Sequence, residues 1–388
     1  MKELQPVEIH RAVPSQSYKF YDNFTQMIRD ELKDFKRWKT QEFDFPNKAP
    51  FLKFSRPEGV DADVKPYFIL PAWISDPVAD SLLALKLSIN ALTRKNEGTN
   101  LSLAEGVMVL APYLEMRMDK ASLKNGEIIE GEAASAEVFA DSLQGAKKLI
   151  TANIHSKEAF DAIEQRGVEV INVTLVPIFS QEAKDAGIIN ENTVVVASDF
   201  GSLQMCLEFA ELCGLDVEKQ IVVLDKGARD QDGETEGLKL MYGEESLNEN
   251  SVVIMLDDIH DTGGSVDDAE EFVVKKGVRS IYQFFTHGVF SYPADDNVLE
   301  RFKRGKVKGM WVSDSLPQAK YQLNADEKIH TIEIARLLSW ITVASVDWSK
   351  KELMETPSLG DYIMEPKNKK LVWLEFCKRV NCSPDSLC

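Results

Sequence analysis

Residues 251–265 read SVVIMLDDIHDTGGS, and apolar residues at helical spacing follow from Val266 to Lys275. The apolar run Val252 to Leu256 predicts a buried strand, because a short continuous run of such side chains suits a sheet covered on both faces. Asp257 and Asp258 stand at its C-terminal end, and Asp261, Thr262, Gly263, Gly264 and Ser265 then turn the chain into the helix. Ligands of open α/β sheets bind outside the carboxyl ends of strands, and a glycine-rich turn at a helix N-terminus offers N–H groups and a favourable dipole to a phosphate. The stretch therefore predicts a phosphate cradle with acidic neighbours. An ionised carboxylate accepts hydrogen bonds from ribose hydroxyls, directly or through metal-bound water, so the pair suits a ribose beside that phosphate. An acidic turn with a helix cap is the plainer alternative, but it does not call for strand, acids, glycines and helix in register.

Similar units precede the cradle. Strand-like runs occur at Pro66 to Leu70, Val107 to Ala111, Lys148 to Ala152, Glu169 to Leu175, Val194 to Ser198 and Ile221 to Leu224, and Ile281 to Phe285 follows. Helix-period segments lie between them, as at Val78 to Leu92, Ala133 to Leu143 and Gln204 to Leu212. Repeated strand and helix units predict an α/β fold with mainly parallel sheets flanked by helices. The polar stretch 180–192 separates two sets of strands, which gives an N-terminal α/β domain over 51–185 and a C-terminal one over 186–330. Residues 1–50 read as an added helical extension, with the charge run Asp30 to Lys39 on a solvated helix, and 331–388 as a helical segment and tail.

The chain of 388 residues carries 45 Lys and Arg against 63 Asp and Glu, a net charge of -18 that would repel a phosphate backbone. No nucleic-acid partner is expected. The longest apolar runs fall short of the roughly 20 residues that span a bilayer, and the first residues lack the apolar core of a secretory signal. The expectation is a cytoplasmic protein with no membrane partner. The five cysteines form no CxxC pair and read as free thiols, with Cys206 and Cys213 packed on one helix face.

The loop DDIHDTGGS resembles the phosphoribosyl pyrophosphate loop shared by type I phosphoribosyltransferases and ribose-phosphate pyrophosphokinases, and further motifs in order favour the second family. THGVFS at 286–291 and VSDSLPQ at 312–318 resemble that family's THG-F-S segment and the turn before its last strand. LAPYLEMRMDKA at 110–121 is similar to PYxxYARQDRK, and GEAASAEVFADSL at 131–143 to GEPISAKLVADLL. ANIHS at 152–156, SDFGS at 198–202 and LDKGAR at 224–229 resemble the DLH, SPDxGG and DKRR segments. The likeness covers roughly Phe51 to Ser345.

The resemblance implies two tandem phosphoribosyltransferase-like domains and transfer of the β,γ-diphosphoryl group of ATP to the anomeric hydroxyl of ribose 5-phosphate, with Mg2+ and release of AMP. It implies catalytic roles for His155, Lys226 and Arg229, and a metal site at His155 and Asp199. Lys226 would neutralise charge on the transferring group from a mobile flap. Arg229 sits one residue later than the family's arginine, so its role transfers less directly than that of Lys226. For ATP the resemblance points to Phe54, Glu58, Arg117 and Asp119, although FLKFSRPEG carries an inserted residue and PYLEMRMD is one residue shorter than its counterpart. The acceptor falls to Asp257, Asp258, Asp261, Thr262, Gly263, Gly264 and Ser265. The family also implies a homo-oligomer.

Two alternatives stand beside this reading. The same chemistry could act on a nucleotide-linked ribose such as ADP-ribose, because nothing in the loop demands that the 5-phosphate be terminal. A non-catalytic relative could keep the fold, although it would need none of His155, Asp199, Lys226 and the acidic loop together. His260 is read as facing outward from the loop, and His287 as holding the sheet of the second domain.

Overall fold

The computed structural model describes residues 7–9, 24, 26–27, 39–44, 50–55, 67–72, 78–95, 102–114, 123–124, 127–128, 133–225, 238–261, 263–290, 306–316, 328–346, 361–367 and 369–380. They form two compact units: Met1–Val173 with Ile334–Pro366, and Thr174–Glu333 with Lys367–Cys388.

The first unit is built on a five-stranded sheet of β1 (Val7–Ile9), β4 (Tyr67–Pro71), β5 (Gly106–Leu110), β8 (Lys148–Ala152) and β9 (Glu169–Val173), in that spatial order and parallel throughout. Two short hairpins, β2 (Lys39–Asp44) with β3 (Pro50–Ser55) and β6 (Leu123–Lys124) with β7 (Glu127–Ile128), accompany it. Helices α1 (Val78–Thr93), α2 (Ser135–Ser142) and α3 (Lys157–Glu164) supply Leu85, Ile89, Leu92, Phe139 and Ile163 to a core shared with Phe68, Leu70, Val107, Val109 and Leu149. Ser156 caps α3 by accepting a hydrogen bond from Ala159 N–H at 3.1 Å, which satisfies a donor that the first helical turn leaves open. Helix α7 (Ala335–Val346) also belongs to this unit.

The second unit is a seven-stranded sheet. Its order is β12 (Lys239–Tyr242), β11 (Ile221–Asp225), β10 (Thr193–Ala197), β13 (Val252–His260), β14 (Ser280–Gly288), β15 (Val307–Ser313) and β16 (Ile329–Ile332). Every neighbouring pair is parallel except β11 with β12. The unit also holds α4 (Val176–Asp185), α5 (Leu203–Cys213), α6 (Gly264–Lys275) and α8 (Lys369–Val380). One core cluster joins Val194, Val196, Val253 and Met255 to Val266, Ala269 and Val273 of α6. Phe284 lies against Phe179 of α4 and Phe209 of α5, with ring centroids 5.7 and 5.9 Å apart.

The α/β class and parallel sheets are as expected, and the differences lie at the edges. The units part between Val173 and Thr174 rather than after Asp185, since α4 belongs to the second sheet's cover. Residues 1–50 are not a separate helical extension: Val7–Ile9 pairs with Tyr67–Ile69 in the first sheet, and Lys39–Asp44 is a strand. Residues 331–388 divide between the two units. Among the described residues no helix is long and apolar enough to cross a membrane. Cys206 and Cys377 are buried, Cys213 is half-buried, and all three are free thiols.

Candidate active site

Strand order locates the site in the second unit. From β10 the chain passes outward through α5 to β11 on one side, and from β13 through α6 to β14, β15 and β16 on the other. The order reverses between β10 and β13, and a crevice opens outside the carboxyl ends of strands at such a switch point. The ends of these two strands carry Ser198 and Asp199 on one side and Asp257 and Asp258 on the other. In the first sheet β4, β5, β8 and β9 follow in one direction, with no such reversal.

The sequence predicts β13 over Val252 to Leu256, but the strand continues to His260. Its partner β14 keeps step, with Asp257 opposite Phe285, Ile259 opposite His287 and His260 opposite Gly288. Both acids therefore sit within a hydrogen-bonded strand that projects beyond the end of β10. Consecutive strand residues leave the backbone in opposite directions, yet the Asp257 and Asp258 side chains remain within hydrogen-bonding reach of one another. Asp257 is held by its own strand and by the end of the neighbouring one: Oδ1 accepts from Asp258 N–H at 2.9 Å, and Oδ2 accepts from the Ser198 hydroxyl at 3.3 Å. Burial first, and then the neighbouring Asp199 and Asp258, raise the Asp257 carboxyl well above the usual carboxylate range.

Asp199 follows β10, where its Oδ1 accepts from Gly201 N–H at 2.6 Å and Ser202 N–H at 3.1 Å. This turn leads directly into α5. Its carboxylate thus organises the start of that helix, and Asp199 and the acid pair form one negative corner at the switch point.

The glycine turn behaves as its composition requires. Gly263 has φ +85, a left-handed conformation that a side chain disfavours, and an added Cβ would meet the Asp267 carboxylate at 3.0 Å and His260 Cε1 at 3.1 Å. Gly264 opens α6, so the backbone reaches the helix N-terminus with no side chain at either glycine, and Asp261 is exposed just before it. Ser265 lies in the first turn of α6, and Thr262 is outside the described residues.

His260 corrects the reading of an outward-facing loop residue. It is buried because β13 continues through it, and its ring packs against Phe285 and Phe290 with centroids 4.4 and 5.2 Å away. His287 holds the neighbouring strand ends together. Its Nδ1 lies 2.8 Å from the Ser315 hydroxyl, which also donates to Thr286 O at 3.1 Å. The THG and SDS segments are thereby joined beneath the site.

In the first unit, His155 is exposed in the turn between β8 and α3. Phe54 departs from its expected role in stacking on a base: it is 5% exposed, and its ring meets Phe68 edge-on at 5.7 Å within the core. Glu58, Arg117, Asp119, Lys226 and Arg229 lie outside the described residues. Sequence reasoning did not single out Ser198 as a functional residue; its signal was its position at the end of the strand next to the acid pair. Among the described residues no three His, Cys, Asp or Glu side chains form a metal-holding cluster. Magnesium commonly takes only one or two protein carboxylates and completes its shell with water and substrate phosphate, a requirement that the hard oxygen donors of Asp199 and the acid pair fit.

The family model described as the phosphoribosyl synthetase-associated domain matches residues 248–347, which include the acid pair and the glycine turn. Over 265 residues the chain is 28% identical to the ribose-phosphate pyrophosphokinase of Thermotoga maritima, an overlap of 68% of this chain and 75% of that one. The enzyme of the same name from Thermosipho africanus is 27% identical over 264 residues, 68% of this chain and 73% of its own. Among solved structures, the phosphoribosylpyrophosphate synthetase of Mycobacterium smegmatis superposes with a TM-score of 0.63 at 20% identity, covering 88% of this chain and 98% of that one.

Proposed function

We propose that this chain, a divergent member of the ribose-phosphate pyrophosphokinase family, transfers a diphosphoryl group from ATP to the 1-hydroxyl of ribose 5-phosphate and releases AMP. The observation that carries the reading is the acid pair in the C-terminal half of β13, ahead of the glycines of α6 and beside Asp199 at the switch point. In the reaction the anomeric oxygen bonds to the β-phosphorus of ATP. The bond from that phosphorus to the oxygen bridging the α-phosphate breaks, AMP leaves with the bridging oxygen, and the hydroxyl proton passes to water.

The glycine turn and the N-terminus of α6 would hold the 5-phosphate, while Asp257 and Asp258 orient the ribose hydroxyls. Such transfer needs positioning and charge compensation more than covalent work by the protein. Asp199 is the residue we assign to Mg2+, and the ion, when bound, would neutralise charge on the polyphosphate; His155 keeps the catalytic role that the resemblance gives it. Lys226, with Arg229 three positions later in the sequence, would meet the developing charge on the transferring group. Arg117, Asp119 and Glu58 are assigned to ATP, whereas Phe54 is given no contact because its ring is in the core.

The test is AMP release from ATP, Mg2+ and ribose 5-phosphate, with ADP-ribose as a competing acceptor and products identified by mass spectrometry. Formation of phosphoribosyl pyrophosphate is the expected outcome. Exclusive diphosphorylation of ADP-ribose would move the assignment to a nucleotide-linked acceptor, and AMP release with neither acceptor would remove it.

A further inference from the structure

We infer that Ser198 is a positioning residue for the acceptor, acting through Asp257; this rests on the reading of the acid pair as the ribose-binding carboxylates. The ladder between β10 and β13 pairs Thr193 with Val252, Val194 with Val253, Val195 with Ile254 and Val196 with Met255. Continued in the same register, it brings Ser198 opposite Asp257. Both residues then share the face that carries Val194, Val196, Val253 and Met255 into the core with α6. The hydrogen bond agrees with this placement, with the Ser198 hydroxyl 3.3 Å from Asp257 Oδ2.

Ser198 is 1% exposed, so this bond is shielded from water. It also decides what Asp257 can do. A carboxylate turns freely about its last torsion, but here one oxygen is fixed by the Asp258 N–H and the other by Ser198. Each oxygen keeps a second lone pair, whose direction is set by the bond already made. Ser198 therefore aims the remaining acceptor capacity of Asp257 at the crevice. It is the last residue before Asp199, so one short turn would align a ribose-binding acid and present the candidate metal-binding acid.

A ribose hydroxyl held by an aimed carboxylate loses affinity when the aim is lost. A hydrogen bond that fixes a carboxyl oxygen is worth enough that Ser198→Ala should weaken acceptor binding by about tenfold. The experiment measures ribose 5-phosphate binding by calorimetry and the KM for ribose 5-phosphate and for ATP, in the full chain and in Ser198→Ala and Ser198→Thr. The expected result is weaker ribose 5-phosphate binding and a higher KM for it in Ser198→Ala, with the ATP KM nearly unchanged and recovery in Ser198→Thr, which keeps the hydroxyl.

Unchanged ribose 5-phosphate binding in Ser198→Ala would overturn the inference. So would a matched loss for both substrates with a lower melting temperature, which would mark a purely structural residue, and so would no ribose 5-phosphate binding by the unaltered chain. If the unaltered chain binds ribose 5-phosphate but makes no product, the proposed activity fails while calorimetry on Ser198→Ala still decides the role of Ser198. Should Ser198→Thr not fold, Ser198→Ala decides alone.

Discussion

Replacing Glu208 by Gln should stabilise the second unit at neutral and alkaline pH and leave it unchanged in acid. Glu208 lies on α5, on the same face as Gln204 and Glu211, and those two residues bind the C-terminal segment: Gln204 Oε1 accepts from Lys367 N–H at 2.9 Å, and Glu211 pairs with Arg379. Between them, Oε2 of Glu208 is buried without a hydrogen-bond partner among the described residues. Burial first, and then the negative charge of Glu211, push its carboxyl from an ordinary value of 4.5 up to about 7. Below the ordinary value the folded and unfolded chains are both protonated, and the contribution of the group to stability is fully present. Between the two values the unfolded chain ionises first and binds fewer protons, so stability falls as pH rises through about 7. At 1.36 kcal/mol per pH unit the loss is about 3 kcal/mol, reduced to roughly 2 by the water that still reaches the half-buried side chain. Glutamine removes the ionisation and keeps the shape. Hydrogen exchange of the α5 amides, compared between the two proteins at each pH so that intrinsic exchange cancels, should be equal near about pH 3.5 and about thirtyfold slower in the variant near about pH 8. A ratio that does not change with pH, or faster exchange in the variant at the alkaline end, would refute the reasoning.

Gly263→Val should weaken ribose 5-phosphate binding by at least about tenfold in calorimetry, because a β-branched residue at φ +85 is strained and its Cβ would press on Asp267 and His260; unaltered affinity would detach the turn from the acceptor. Lys226→Ala should lower kcat by about a thousandfold with a smaller change in ATP affinity, and near-normal turnover in a steady-state assay would make Lys226 an ordinary surface lysine. Light scattering should give a mass of a dimer or a higher multiple, and a mass near 43.6 kDa at micromolar concentration would contradict assembly.

The central strands were legible because their signal is local. Lys148–Ala152 is a strand at the bounds its run sets, Thr193–Ala197 is shifted from its run by one residue at each end, and Ile221–Asp225 is longer than its run by one residue. Each lies between neighbours and is covered on both faces, so an unbroken apolar run is the pattern that burial demands. Edge elements carry no such signal. Val7–Ile9 and Ile329–Ile332 pair on one side only, and Lys39–Asp44 is half charged, so its hairpin partner rather than its composition makes it a strand. Helix α4 escapes the sequence reading because its second half, from Ser180 to Asp185, belongs to the polar stretch 180–192 that is read as the boundary between domains; Pro177 stands in its first turn, where proline costs no hydrogen bond.

The candidate site divides along the same physical line. The acid pair and the glycines are contiguous, and their chemistry follows from residue type at close spacing, so the sequence exposes them. The hydrogen bond from Ser198 to Asp257 joins positions 59 apart in the chain and exists only because β10 and β13 are neighbours in a particular register. The burial of His260 has the same origin: it depends on β13 and β14 continuing in step to Gly288, which brings Phe285 and Phe290 around the ring. A loop motif thus identifies the groups that can meet a ligand, while strand order and register decide which of them are held in place. At this switch point the held group is Asp257, whose oxygens are both engaged from within the unit, and Ser198 is the partner that a reading of the loop alone leaves out.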